Sequence, residues 1–141
     1  MELRVQKIRG DAKIPKFAYA EDAGMDVYAC EDTILQPGGH AWIATGLKLA
    51  IPAGHAGLVW DKSGIAGTYR IKTLGGVIDT NYRGELKVAL VNLGEKSYEV
   101  KRGEKIAQLL IQPVTHPDII EVDLLEETDR GEGGFGSTGK K

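Results

Sequence analysis

No stretch of eleven or more residues in this chain keeps a 3.6-residue apolar period without a glycine inside it. Each glycine in a helix interior costs about 1 kcal/mol relative to alanine, so a helical core is disfavoured throughout. The 19 glycines are spread along the 141 residues and form no internal repeat. Between them lie short apolar segments with the period of strands. Leu47, Leu49 and Ile51 alternate with Lys48 and Ala50, and Pro52 to His55 reads as a turn into a second strand, Ala56 to Trp60. Leu86, Val88 and Leu90 alternate again and are closed by Asn92 and Gly94, while Ile106 to Ile111 is an apolar run ended by Pro113. Ile120, Val122 and Leu124 alternate with Glu121 and Asp123, which suits a strand or one to two helical turns. The best helical window is Ser63 to Leu74, weakened by Gly64 and Gly67. Many short strands between Gly and Pro turns predict an all-β sandwich or barrel.

A chain of this length fits one domain, and 42% hydrophobic residues suffice for a core. Lys plus Arg number 18 against 20 Asp plus Glu, a net charge of −2. No basic excess invites a nucleic-acid duplex, although a pocket for a polyanionic small molecule needs only a few local cations. The single cysteine, Cys30, cannot close an internal disulfide. Met1 to Arg9 mixes charges without an apolar signal core, and no apolar run is long enough to span a membrane. The expectation is a soluble, cytoplasmic protein with neither nucleic acid nor membrane as partner. Composition changes after Thr128: residues 129–141 hold five glycines, and Phe135 is their one large apolar side chain. Such a tail cannot bury enough surface to order itself. The chain therefore divides into a β domain, 1–128, and a Gly-rich tail, 129–141. The tail is either a frayed end or a flexible arm that closes over a ligand.

Three segments could carry chemistry. Gly75 to Leu86 is a polar, glycine-bounded bend between apolar residues and reads as a β-hairpin. Asp79 directly follows Val77 and Ile78, so its partly desolvated carboxylate could act as a general base on water; equally, it could cap the turn. Asp61 to Gly67 follows a strand, and Lys62, Ser63 and Gly64 offer a cation, a hydroxyl and unhindered N–H groups to a phosphate; alternatively, Ser63 is a helix N-cap. Gly131 to Gly139 offers further N–H groups, with Phe135 as a face for a base. The end of this segment falls short of a P-loop, because Lys141 stands where Ser or Thr is required. His40, His55 and His116 are widely separated and lack metal-ligand spacing.

Taken together and in order, these segments resemble the five motifs of the trimeric dUTPase family. The motifs are Ala23–Ala29, Lys62–Ala66, Gly76–Glu85, Arg102–Gln108 and Arg130–Gly139. The resemblance implies a jelly-roll-like β-clip fold and a homotrimer with shared active sites. It implies hydrolysis of dUTP to dUMP and diphosphate by water attack at the α-phosphorus, which lowers dUTP and supplies dUMP for dTTP synthesis. It also implies Mg²⁺ carried mostly by the triphosphate and water, with Asp26 reaching its water shell. Lys62, Ser63 and Gly64 match the phosphate-contacting turn, and Gln108 a further phosphate contact. Backbone groups at Gly76, Val77, Ile78 and Lys87 match those that read uracil. Asp79 matches the residue that activates water, and Tyr82 the aromatic that leaves no room for a 2′-hydroxyl. Arg130, Phe135, Gly136, Ser137 and Thr138 match the closing arm. Lys62 and Lys105 stand where the family usually has Arg, which loses the bidentate fork but keeps the charge. Asp61 stands where Pro or Gly is usual, Met25 where an aromatic is common, and Asn81 where an acid or Gly is common. The dCTP deaminases share the fold, but their catalytic Glu falls at Ala89. Against a non-catalytic binding or regulatory module on the same scaffold stand the intact Asp79 and the full fifth motif, and a lectin or capsid jelly roll would not need the five motifs.

Overall fold

The computed structural model describes residues 1–139, so Lys140 and Lys141, the end of the expected arm, lie outside the described residues. The elements run β1 (Arg4–Lys7), β2 (Met25–Tyr28), β3 (Thr33–Leu35), β4 (His40–Ala50), β5 (His55–Asp61), α1 (Ser63–Tyr69), β6 (Ile71–Leu74), β7 (Val77–Ile78), β8 (Glu85–Asn92), β9 (Tyr98–Val100) and β10 (Lys105–Pro113). Two four-stranded antiparallel sheets, ordered β1-β4-β8-β6 and β2-β10-β5-β7, are joined by a small β3-β9 ribbon. The expected all-β, jelly-roll-like fold is what the chain adopts. No described helix is long and apolar enough to cross a membrane.

One core serves both large sheets. Ile43, Leu49, Ile71, Leu86, Val88 and Leu90 of the first pack with Met25, Val27, Val59, Ile106, Ala107 and Leu109 of the second. Each fully buried side chain of this size contributes roughly 1.5–3 kcal/mol. Alternation decides which residues enter: along β8, Leu86, Val88 and Leu90 are buried while Lys87 points out. Buried Asn92 donates to Leu35 O at 2.9 Å and Lys96 O at 2.8 Å, tying β8 to the ribbon.

Four local expectations change. The strand expected from Leu47 begins at His40 and bends at Gly46, where its register to β8 shifts between Ala44 and Lys48. Gly46 has φ 70°, and a Cβ there would sit 2.9 Å from Ala12 Cβ and 3.0 Å from Cys30 Sγ, so only glycine fits the bulge. The helical window is cut at Tyr69 by Arg70 in the left-handed region, φ 59°, and Ile71–Leu74 becomes a strand. Residues 79–84 do not close a hairpin. β7 pairs with β5, and β8 pairs with β4 and β6, so the bend crosses between the two sheets. Ile120, Val122 and Leu124 form neither strand nor helix and are exposed, because no neighbouring strand lies beside them in this chain.

Candidate active site

At one end of the second sheet, Val27, Ala107 and Asp61 lie side by side on β2, β10 and β5. This register collects the polar residues around them. Asp26 is buried, with its side chain 5% exposed, and takes two ammonium groups: Lys62 Nζ at 2.5 Å and Lys105 Nζ at 2.7 Å. Burial opposes its ionisation, but the hydrogen bonds and charges of Lys105 and Lys62 outweigh that, and its pKa falls below 3.8. The bond to Asp26 likewise raises the pKa of Lys105. Gln108 sits opposite Asp26 in the β10–β2 register and donates its side-chain N–H to Asp61 O at 2.9 Å. Its amide passes so close to Gly24 that a Cβ there would lie 2.5 Å from Gln108 Oε1, which explains the glycine in the first motif.

Asp61 was legible only as a departure from the family pattern, and its carboxylate is tied to β6. Its carboxylate accepts from Thr73 N and Thr73 Oγ1, both at 2.7 Å, and pairs with Lys72 Nζ at 2.9 Å. Burial works against the charged form, yet the Thr73 and Lys72 donors lower its pKa. Lys62 then turns the chain into α1. It is Lys62, with extended backbone and no side-chain cap, that occupies the N-cap. Ser63 is the first helical residue, so the N-cap reading of its hydroxyl does not hold.

A second group of residues lines a pocket of about 260 Å³: Val77, Ile78, Asp79, Tyr82 and Lys87 of the sequence reading, with Trp42 and Glu85. The bend is closed by its own backbone. Tyr82 N–H donates to Asp79 O at 3.2 Å, and Arg83 Nη1 donates to Thr80 O at 2.7 Å. Asp79 thus gives the turn its carbonyl, and among the described residues no hydrogen bond occupies its carboxylate. Tyr82 Oη donates to Glu85 O at 3.1 Å, which fixes the ring over Gly84 as a wall of the pocket. Gly76 lies next to this pocket, with its carbonyl accepting from Val59 N–H at 2.8 Å. β7 is an edge strand paired only with β5. β6 covers β8 only from Ala89 to Asn92, which leaves the β8 edge at Lys87 open on that side. Backbone donors and acceptors therefore face the slot from both strands.

The two groups do not meet within one chain. β5 and β7 are antiparallel, with Gly57 opposite Ile78, so extending the register puts Asp79 level with Ala56. Lys62 is six residues further along the same line, or about 20 Å at 3.2–3.4 Å per residue. The tail forms a third group. It is a series of turns from Thr128 to Gly139, in which Arg130 Nε donates to Gly133 O at 2.7 Å and Phe135, φ 50°, is fully exposed. Neither Ser137, Thr138 nor Gly136 reaches the other groups. Ala89, the position of the deaminase Glu, is a buried alanine opposite Trp42.

Among the described residues no three His, Cys, Asp or Glu side chains stand together as metal ligands. Asp26 is a lone carboxylate already facing two cations. That donor set does not fit an all-protein cage; a hard cation here would take its other ligands from substrate oxygens and water, with Asp26 reaching no further than the water shell.

The dUTPase family profile matches residues 10–139. A deoxyuridine 5′-triphosphate nucleotidohydrolase of Clostridium tetani is 44% identical over 140 residues, covering 98% of this chain and 97% of that protein. The human mitochondrial one is 41% identical over 140 residues, covering 99% of this chain and 56% of its own length. Among solved structures, the Staphylococcus bacteriophage 80alpha dUTPase with dUpNHpp superposes with a TM-score of 0.93 at 30% identity, covering 99% of each chain. A dUTPase from phage phi11 of S. aureus, studied for its coordination of a structural Mg(II) ion, gives 0.83 at 25% identity, covering 90% of this chain and all of that one.

Proposed function

Because the chain belongs to the dUTPase family, its match running over residues 10–139, we propose that it hydrolyses dUTP to dUMP and diphosphate by water attack at the α-phosphorus. The observation that carries this reading is the pocket that puts Asp79 and Tyr82 beside two open strand edges, at Val77–Ile78 and at Lys87. A uracil edge presents one donor between two acceptors and can take the place of a missing strand there. Thymine adds a methyl against the backbone, and cytosine reverses part of the pattern, so both are discriminated against. Tyr82, held by Glu85 O, packs on the deoxyribose and leaves no space for a 2′-hydroxyl.

Asp79, its carboxylate free, takes a proton from the attacking water as the new O–P bond forms. The bond from the α-phosphorus to the bridging oxygen breaks, and diphosphate leaves. Lys62, Ser63, the Gly64 N–H and Gln108 bind the phosphates and spread their charge over fixed donors. Mg²⁺ on the triphosphate would supply further charge neutralisation, with Asp26 holding its water shell. Residues 129–141 are the closing arm: Phe135 covers the base, while Arg130, Gly136, Ser137 and Thr138 close on the phosphates and exclude bulk water.

Since Asp79 and Lys62 lie about 20 Å apart in one chain by their register, the working site draws its parts from different subunits of a homotrimer. The test is diphosphate release from dUTP, dTTP, dCTP, dATP, dGTP and UTP in Mg²⁺, with light scattering of the same sample. Turnover of dUTP alone by a trimer is expected. Equal turnover of UTP would sink the role of Tyr82, ammonia release from dCTP would move the chain to the deaminases, and a fully active monomer would refute shared sites.

A further inference from the structure

We propose that Asp61 is a positioning residue of the reaction, holding the phosphate-binding half of the site in its working geometry. The proposal rests on the reading of Lys62, Ser63 and Gln108 as phosphate contacts. Asp61 is the last residue of β5 and immediately precedes Lys62. It binds on two sides at once. Its carbonyl oxygen accepts the Gln108 amide N–H at 2.9 Å, which fixes one phosphate contact directly. Its carboxylate accepts from Thr73 N and Thr73 Oγ1 and pairs with Lys72, both residues of β6.

β5 and β6 belong to different sheets and share no ladder. Between them the chain runs through α1, which carries Ser63 and Gly64 at its start, has no fully buried residue and touches the core through half-buried Ile65. Without the Asp61 carboxylate, the turn at Lys62 would lose its side-chain hydrogen bonds to the first sheet. With it, the last residue of β5 is fixed to the edge strand of the first sheet by three hydrogen-bonding groups. Thr73 is itself buried, so its hydroxyl has no water to turn to if Asp61 is removed. The charge of Asp61 is spent on Lys72 and the Thr73 donors, so a carboxylate can stand one residue from Lys62 without repelling a polyanion.

A positioning role predicts a selective loss. A displacement of about 1 Å at reacting groups can cost roughly 10²-fold in rate. The test is Asp61→Ala, Thr73→Val and Lys72→Met in the full chain. For each, kcat and KM for dUTP are measured together with the dissociation constants of dUpNHpp and of deoxyuridine, which lacks all phosphates. Expected is a fall in kcat/KM of roughly 10–100-fold for Asp61→Ala and a smaller one for Thr73→Val. Binding of dUpNHpp should weaken, while that of deoxyuridine stays near parental. Lys72→Met, which leaves both Thr73 bonds in place, should be the mildest, and Asp61→Asn, whose Oδ1 can still accept both Thr73 bonds, should recover most of what Asp61→Ala loses. Parental kcat/KM in a folded Asp61→Ala would overturn the proposal. So would equal weakening of deoxyuridine and dUpNHpp, which marks a general loosening of the fold. If Asp61→Ala does not fold, Thr73→Val decides by the same two readouts. A parent protein that leaves dUTP intact would instead overturn the dUTPase reading on which the proposal stands.

Discussion

Replacing Asp79 with Asn isolates the proton transfer from everything else the residue does. Asn keeps the size and the backbone carbonyl, so the Tyr82 N–H bond that closes the bend, 3.2 Å in the parent, is kept. The side chain lines the pocket, is exposed within its own chain and gives up no intramolecular hydrogen bond. A change of this kind outside the core leaves stability within about 0.5 kcal/mol. The chemical step is different. A positioned general base contributes about 10²–10⁴-fold, which at 1.36 kcal/mol per decade is roughly 3–5 kcal/mol of the activation barrier. Diphosphate release under saturating dUTP should fall by that factor, while calorimetric titration with dUpNHpp gives a dissociation constant close to the parent's. The thermal midpoint should move by no more than a degree or two, about what 0.5 kcal/mol amounts to in a domain of this size. Unfolding of Asp79→Asn would show that the carboxylate caps the turn after all. A folded, dUTP-binding Asp79→Asn with parental turnover would refute the assignment and make Asp26, acting through the water shell of the metal, the next candidate.

The remaining expectations can be checked on the same preparation. Deleting Arg130 to Lys141 removes no buried core residue among those described and should leave the circular dichroism spectrum and trimer mass intact, with turnover reduced by roughly 10²-fold or more from lost phosphate donors; an unchanged rate would make the tail an ordinary frayed end. Mixing inactive Asp79→Asn chains with inactive arm-deleted chains, under conditions that exchange subunits, should restore part of the activity, and no recovery at any ratio would mean that each chain supplies both parts to the same site. The depressed pKa of Asp26 means that its contribution to stability is fully present above 3.8 and is lost as the pH falls from there through the lower folded value. Urea unfolding of Asp26→Asn should accordingly show lower stability than the parent at pH 7 and a smaller difference below pH 3.8, and a difference that grows on acidification would contradict the ion pairs with Lys62 and Lys105.

The sequence was most informative where function depends on local order. Val77, Ile78, Asp79, Tyr82 and Lys87 lie within eleven residues, and the chain brings them to one pocket with only a bend to form. Strand alternation in β8 was legible for the same reason, because alternate residues meet one shared core, and β10 was legible as an apolar run ended by Pro113. Features set by distant partners were hidden. Lys105 read as a substituted arginine, and nothing near it in sequence announces Asp26, its ion-pair partner across the β10–β2 register. Thr73 lies twelve residues beyond Asp61, behind a helix. Trp42 entered the pocket unannounced, because the apolar run at 41–44 masks its alternation and Gly46 conceals that β4 continues through a bulge. The bend at 79–84 looked like a hairpin because flanking apolar residues alternate alike whether they pair with each other or with separate sheets.

On the proposed reading, the separation of the functional groups would tie catalysis to assembly. An attacking water would have to lie within about 3 Å of Asp79, at a phosphorus whose neighbouring phosphates Lys62 and Gln108 are proposed to hold. The β5–β7 register keeps Asp79 and Lys62 about 20 Å apart in each chain, and the core that fixes this register spans both sheets. No loop movement closes that gap without unpairing β7, because Asp79 follows Ile78 directly. A second chain would remove the difficulty by bringing its Asp79 to the first chain's Lys62. Phe135 fits the same arrangement: it is fully exposed within its own chain, and an aromatic ring in a Gly-rich tail needs a surface supplied from elsewhere. Activity should therefore follow the concentration of trimer and not of chain. On dilution through the dissociation range, the specific activity of a shared site falls toward zero, whereas a site complete in one subunit would hold a constant value.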